Sequence, residues 1–392
     1  MLNPFLQKTL YSQPVQPVMV EIDPAKFSQT LSQIQGLFGA SGLFGAKPPM
    51  LLAIPFFSFA GLTQVTPETI LAINNLPGVR AVHADVVNNI LMAPTDSTTW
   101  WPTSQSRLML GADVANKAGY TGESVTVGIC DTGVDALHPQ LRGTEFYTTM
   151  IDKEIIDEVG HGSHVASTIG GKTLNSIGGI PVQGVSQARM ICVKCMGRGV
   201  GTGFNSEIAN AMALCAQKGA QVISMSLGSD SPQGGIANDP LCRMVSALTQ
   251  QGIIVVIAAG NSGPDPNTID SPGCSPDALT VAAVNPDGSV ASFSSRGGST
   301  YPGKPDCAGP GVLIYSGTSE LSPMSVEQPK AGYGYVAISG TSMATPHVAG
   351  LVALLKQRTP TLTTPQVKSV LASQGNSWNP DTGFGVPNWN MF

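Results

Sequence analysis

Between Gly122 and Ser373, short apolar runs alternate with stretches of helical spacing. Val125 to Cys130, Met190 to Cys195, Val222 to Leu227, Ile253 to Ala258 and Leu279 to Val284 read as buried strands, each bounded by turn-forming residues. Ser206 to Lys218, Pro240 to Gln250, Val348 to Lys356 and Pro365 to Ser373 read as helices. Alternation of this kind demands an α/β fold: a parallel sheet with helices on both faces. In such a sheet ligands bind at the carboxyl ends of the strands, where Asp131 and the loop after Ala258 fall. The chain of 392 residues is long enough for two domains, and 42% hydrophobic content fills a core. The net charge of −5 forms no basic stripe, which excludes nucleic acid as the expected partner. The longest apolar run, Met50 to Leu62, contains Pro55 and is shorter than the ~20 residues a spanning helix needs.

Residues 1–91 read as a separate unit. Val18 to Ile22 is a strand. Asp23-Pro24 then starts a helix, with Asp as cap and Pro at the first helical position, and Phe27, Leu31, Ile34 and Leu37 follow at helical spacing. A Gly/Ser/Pro-rich stretch, Gly36 to Pro49, leads to the apolar run from Leu51. Thr66-Pro67-Glu68 opens a second helix over Thr69 to Asn75, and Val79 to His83 closes as a strand. The order β-α-β(β)-α-β defines a small α+β domain. Residues 92–106 are polar, aromatic and Pro-containing, and read as a linker before a second domain, 107–392.

Three motifs carry chemistry. Ser342 lies in Gly340-Thr341-Ser342-Met343-Ala344-Thr345-Pro346-His347, on a glycine corner before a helix. Asp131 ends Val127-Gly128-Ile129-Cys130-Asp131-Thr132-Gly133, and His161 sits in Gly160-His161-Gly162-Ser163-His164-Val165-Ala166. Taken singly, these are a helix cap, a turn former and a structural histidine. Taken together they supply what an alcohol nucleophile needs: a base within hydrogen-bond reach and a carboxylate to orient the base. Ser342 is the candidate nucleophile, His161 the base and Asp131 the orienter. His164, His347, His138 and His83 are the remaining histidines. The seven cysteines are an odd number, so one at least stays unpaired. Cys192 and Cys195 lie three apart in a strand-like run, which points them to opposite faces, and buried thiols are the expectation.

The order Asp, His, Ser and the residues around each are similar to those of the subtilisin-like serine proteases, from about Gly111 to the C-terminus. The resemblance implies a subtilisin-like parallel sheet preceded by a ferredoxin-like propeptide domain. The propeptide would act as folding chaperone and tethered inhibitor, and 92–106 would hold the processing site. It implies a serine endopeptidase working on polypeptides through an acyl-enzyme and made as a self-processing zymogen. A peptide ligase or cyclase, or an inert fold used for binding, are the alternatives. Ala258-Ala259-Gly260-Asn261-Ser262-Gly263 resembles the oxyanion motif, with the Asn261 side chain and the Ser342 backbone N–H as donors. Ser226-Leu227-Gly228 resembles one wall of the primary specificity pocket, and Gly199-Val200-Gly201 the other edge strand. Asp270, aligned through Ser271-Pro272-Gly273, would lie near the pocket floor and favour Lys or Arg before the scissile bond; an outward loop aspartate is the alternative. The chemistry needs no cofactor. Relatives hold a structural calcium, but the usual acidic position is Gln140 here and the loop Leu174-Asn175-Ser176-Ile177-Gly178 is one residue short, so that site is degraded and the metal ligands stay unknown. The resemblance implies secretion, whereas Met1 to Val20 has no basic start followed by an apolar core, which leaves the cytoplasm open.

Overall fold

The computed structural model describes residues 2, 6, 7, 10, 15–38, 51–55, 58–93, 99–176, 179–230, 232, 234–324, 334–374 and 377–392. Strand β1 (Gln16–Ile22) is the first strand among the described residues. Asp23 then accepts a hydrogen bond from the Ala25 N–H, Pro24 takes the first helical position, and helix α1 (Phe27–Phe38) follows. Most of the Gly/Ser/Pro-rich stretch, residues 39–49, lies outside the described residues. Strands β2 (Leu51–Ile54) and β3 (Phe59–Val65) come next. The Thr66 hydroxyl accepts from the Thr69 N–H to start α2 (Pro67–Asn74), and β4 (Val79–Ala84) completes an antiparallel sheet of order β2-β3-β1-β4. That order and alternation of elements are ferredoxin-like. Period-two alternation decides what each face of β1 does. Val18, Val20 and Ile22 join Ile34, Leu62, Ile70, Ile73 and Val82 in the unit's own core. Met19 points the other way, with Ile54 and Phe59. Strand β5 (Val87–Ile90) follows at once and leaves this sheet.

The second unit is built on β6 (Thr126–Asp131), β7 (Glu145–Thr148), α3 (His161–Gly170), β8 (Arg189–Lys194), β9 (Thr202–Phe204), α4 (Asn205–Gln217), β10 (Val222–Met225), β11 (Leu227–Gly228), α5 (Pro240–Gln250), β12 (Ile254–Ala258), β13 (Leu279–Val284), β14 (Cys307–Pro310), α6 (Thr341–Arg358) and α7 (Thr364–Ser373). Seven of these strands form one parallel sheet in the order β14-β13-β12-β10-β6-β8-β7. Val127, Ile129, Val222 and Val256 face α3 and α6, whereas Cys130, Ile223, Val255 and Ile257 face α4 and α5. The strand order reverses beside β6, which opens a crevice at its carboxyl end, where Asp131 sits. All seven cysteines are buried thiols, and Cys192 and Cys195 fall in the cores on opposite faces of the sheet. No helix among the described residues is long and apolar enough to cross a membrane.

The spacing predicts a helix from Val348, yet α6 begins at Thr341 and runs through Pro346. Proline has no N–H for the carbonyl four residues earlier. That carbonyl belongs to Ser342, and it accepts a hydrogen bond from the Ser226 hydroxyl instead, at 2.9 Å. Ser342 therefore sits in the first turn of a long buried helix.

The two units pack together. Met19, Ile54 and Phe59 enter the core formed by Ile208, Met212, Leu241 and Met244 of α4 and α5. Burial of side chains this size contributes about 1.5–3 kcal/mol each before ordering costs. At Gly61 a Cβ would lie 2.4 Å from Ser206 Cβ, so this close approach requires glycine. Asp85 accepts from the Ser206 N–H at 2.8 Å, at the start of α4, while burial pushes its carboxyl up to about 7 against the pull of Ser206. Glu21 pairs with Arg243 of α5; burial works against its charge, but hydrogen bonds from His83 and Arg243 hold it down to about 2.

Candidate active site

Asp131 ends a strand whose every residue is buried, so its carboxylate emerges at the sheet edge with no solvent contact. Its Oδ1 accepts from the Thr132 N–H and lies 2.7 Å from His161 Nδ1. His161 opens α3 after Gly160, whose φ of 88° suits glycine. A Cβ there would also meet Thr318 Oγ1 and Ser322 Oγ, which bond the carbonyls of Gly160 and Val159. The described part of the Gly/Pro/Ser-rich stretch from Thr300 to Tyr335 thus braces the histidine helix; residues 325–333 lie outside the described residues.

Asp157 locks the same half of the site. Its Oδ1 accepts from the Thr132 hydroxyl and the Gly160 N–H, and its Oδ2 from the Ser163 N–H and hydroxyl. The Thr132 hydroxyl in turn accepts from the Gly162 N–H. One carboxylate therefore ties the residue after Asp131 to the first turn of the helix that carries His161. Burial raises the carboxyl of Asp157 while these hydrogen bonds pull it back. The motifs single out neither Asp157 nor Thr132; the readable signal was an aspartate four positions before the histidine.

The other half faces a cleft. The Ser342 hydroxyl donates to the Ser226 carbonyl at 2.9 Å and accepts from the Leu91 N–H at 3.2 Å. His161 Nε2 is buried and makes no hydrogen bond among the described residues, so the structure joins Asp131 to His161 but not His161 to Ser342. Asn261 Oδ1 accepts from the Thr341 N–H and hydroxyl, at 3.0 and 2.9 Å. Asn261 Nδ2 is also buried and has no hydrogen-bond partner among the described residues. At Gly340, a Cβ would lie 2.1 Å from the Leu91 carbonyl oxygen and 3.3 Å from Asn261 Nδ2. The glycine therefore clears room for a peptide carbonyl beside the amide.

The cleft is filled by the chain itself. Strand β5 lies between β9 and β11, antiparallel to both. Asn89 pairs with Gly228 and Thr202, and Ile90 with Leu227. Beyond Leu91 the chain continues across Ser342, and the Ala93 N–H donates to the Ser339 carbonyl at 2.8 Å. Residues 94–98 of the linker lie outside the described residues. Of Gly199, Val200 and Gly201, only Gly201 meets this strand, its carbonyl accepting from the Ile90 N–H at 3.1 Å. Val200 is 69% exposed, and the pairing edge is Thr202–Phe204. Leu227 and Gly228 form the opposite edge, while Ser226 meets Ser342.

Asp270 is 3% exposed. Its carboxyl is wedged between Gly228 and Gly260, where a Cβ on either glycine would fall within about 3 Å of Asp270. Its Oδ1 has no partner, and burial, then the charge of Asp230, pushes the carboxyl up to about 7. The other buried histidines hold no carboxylate of this site. His164 Nε2 meets the Ile314 carbonyl and burial lowers it to about 3; His347 lies between Ser106 Oγ and the Met343 carbonyl and burial lowers it to about 4.

The Gln140 position does not fit a calcium ion. Its Nε2 donates to the Lys172 carbonyl and its Oε1 accepts from the Ser167 hydroxyl, so an N–H occupies the carbonyl that a cation would need. Residues 177 and 178 of the adjoining loop lie outside the described residues. Among the described residues no group of three or more His, Cys, Asp or Glu side chains is arranged to hold a metal.

Comparison with known proteins identifies the family and the fold. Residues 122–386 match the profile of the subtilase family. Serine protease AprX of Bacillus subtilis (strain 168) is 38% identical over 287 residues, covering 68% of this chain and 64% of that protein, so this chain spans less than two thirds of AprX. M-protease of Shouchella clausii (strain KSM-K16) is 32% identical over 333 residues, covering 84% of this chain and 75% of that protein. The crystal structure of fervidolysin from Fervidobacterium pennivorans, described as a keratinolytic enzyme related to subtilisin, superposes with a TM-score of 0.71 over 96% of this chain and 60% of that one. At 22% identity this last likeness speaks to the fold alone.

Proposed function

Because this chain belongs to the subtilase family of serine endopeptidases, we propose that it hydrolyses peptide bonds through Ser342, His161 and Asp131 and that residues 1–91 are a propeptide blocking its cleft. The observation that carries the reading is the course of β5, which runs through the cleft as a substrate strand would and brings Leu91 to the Ser342 hydroxyl. For reaction, that hydroxyl turns from the Ser226 carbonyl to His161 Nε2, which takes its proton as Ser342 Oγ attacks the peptide carbonyl. Asp131 holds His161 through Nδ1–H and stabilises the imidazolium. The developing oxyanion receives hydrogen bonds from Asn261 Nδ2 and the Ser342 N–H. His161 returns the proton to the leaving amine, and water repeats the sequence on the acyl-enzyme. No metal or cofactor takes part in these steps.

The first bond cut is Leu91–Met92. Leu91 precedes the bond at Ser342, and the Ala93 N–H anchors the chain on its far side. Docking of the first unit on α4 and α5, with Asp85 at the start of α4 and Glu21 on Arg243, supports its role as a tethered inhibitor. Asp270 borders the pocket next to Leu91 and would meet a Lys or Arg at that position. Intact mass measured over time tests the core of this reading. The wild type should split into fragments 1–91 and 92–392, and Ser342→Ala should stay whole. A mutant that splits at the same bond would remove Ser342 from the reaction.

A further inference from the structure

The strand in the cleft buries two side chains, three positions apart. Val87 is 43% exposed and Asn89 is exposed, whereas Leu91 is 9% exposed and Asn88 is fully buried. Leu91 lies at the nucleophile. Asn88 has a pocket of its own, opposite Gly203 and against the start of α4. There its Nδ2 donates to Asn205 Oδ1 at 2.7 Å and to the Val86 carbonyl at 3.4 Å. Asn205 is itself buried, and its backbone N–H donates to the same Val86 carbonyl at 3.0 Å, which holds the strand beside it. A carboxamide, not a hydrocarbon, fills this second pocket.

We propose that Asn205 is a specificity-determining residue that reads a side-chain amide three positions before the residue at the scissile bond, so that the favoured substrates are extended polypeptide segments of the form Asn-x-x-Leu. This rests on the peptidase reading and deepens it. Asn205 Oδ1 is an acceptor at a water-excluded position. A buried acceptor deprived of its donor loses its desolvation energy without return, and that asymmetry discriminates more strongly than the hydrogen bond itself attracts. Leucine in the second pocket would leave Asn205 Oδ1 unpaired. Aspartate, of the same shape as asparagine, would bury a charge there and, with Asn205 held as it is, set two acceptors against each other. Both should be disfavoured, although only one is too apolar and only the other is charged.

The test uses the full chain, incubated until its hydrolysis of casein is constant. Four acetylated tetrapeptide p-nitroanilides are compared: Asn-Asn-Ile-Leu and the versions with Leu, Asp or Ala first. The Asn peptide should exceed each of the others by about tenfold or more in kcat/KM. Asn205→Leu should reverse the order of the Asn and Leu peptides, and Asn205→Asp, which keeps an acceptor in place, should retain the preference for Asn. Leu equal to or better than Asn in the wild type overturns the inference, whatever the variants do. An unchanged Asn/Leu ratio in Asn205→Leu overturns the assignment to Asn205. A chain that never hydrolyses casein sinks the peptidase reading, and this inference with it. Casein hydrolysis without a preference at the first position sinks only the inference.

Discussion

The two halves of the site are built on opposite principles. On the side of Asp131 and His161 Nδ1, most polar groups are closed off: Asp157 alone takes four hydrogen bonds and the Thr132 hydroxyl both gives and receives, while Asp131 Oδ2 has no partner among the described residues. On the side of the cleft, His161 Nε2, Asn261 Nδ2 and Asp270 Oδ1 are buried and unpartnered. Unsatisfied buried polar atoms are costly, so three of them lining one cleft are informative. Asn261 Nδ2 stays unpaired although the strand that leads to Leu91 lies in the cleft. A donor aimed at the oxyanion of a tetrahedral intermediate, rather than at a ground-state carbonyl, behaves in this way. The closed half fixes geometry, and the open half waits for atoms that exist only during reaction.

Removing an open group should therefore cost rate, and removing a closed group should cost rate and stability together. Asn261→Leu is the stronger test. It should lower kcat by about 10²–10³ with KM little changed, the usual loss when one oxyanion-hole donor is removed. Its melting temperature should fall modestly, because leucine also removes the Oδ1 that accepts from the Thr341 N–H and hydroxyl, so the open group is marked by a kinetic loss far larger than the thermal one. A rise in KM with kcat unchanged would make Asn261 a substrate-binding residue instead.

Asp157→Asn attacks the closed half and should have a smaller effect on rate. An amide keeps the shape but turns a donor toward one pair of the hydrogen-bond donors that Asp157 now accepts from. We expect destabilisation of about 1–3 kcal/mol and a fall in kcat of about tenfold as His161 loses its fixed orientation. Thermal unfolding together with kinetics on one substrate measures both. Combining the two substitutions sharpens the contrast, because independent halves should multiply their losses in kcat.

Much of this was legible before any coordinates. The alternation from Gly122 onward reads directly as a parallel sheet, because strands buried on both faces are continuous apolar runs. The order of Asp131, His161 and Ser342 survives translation into space because each ends or opens an element at the same edge of that sheet. What the sequence hides is long-range. Asp157 acts through Thr132 and Ser163, and its place four residues before His161 is the one local sign that it is more than a loop residue. The start of α6 is hidden because Pro346 reads as a breaker, and its vacancy is filled by Ser226, distant in the chain. The edge that meets β5 lies at Thr202–Phe204, because the turn before it carries Val200 outward to 69% exposure. Asn88 and Asn205 reveal themselves only where β5 crosses from one unit to the other.

Asp270 gives the smallest predicted effect and the sharpest test of the open half. Burial raises its carboxyl to about 7, so it is neutral below that pH and charged above it. A leucine at the scissile bond should then be accepted best below pH 7, where the pocket holds no charge. An arginine should gain as the pH rises through 7, where it meets a carboxylate in place of an acid. A charge-assisted hydrogen bond at such a site corresponds to about tenfold in rate. The ratio of kcat/KM for Arg and Leu substrates, measured from pH 5.5 to 8.5 (about 1.5 units either side of the midpoint), isolates the effect, because any pH dependence common to both substrates cancels. Asp270→Asn should flatten the ratio at a low value. A flat ratio in the wild type would mean that Asp270 does not reach the substrate side chain. An inflection that survives in Asp270→Asn would take Asp270 out of the effect.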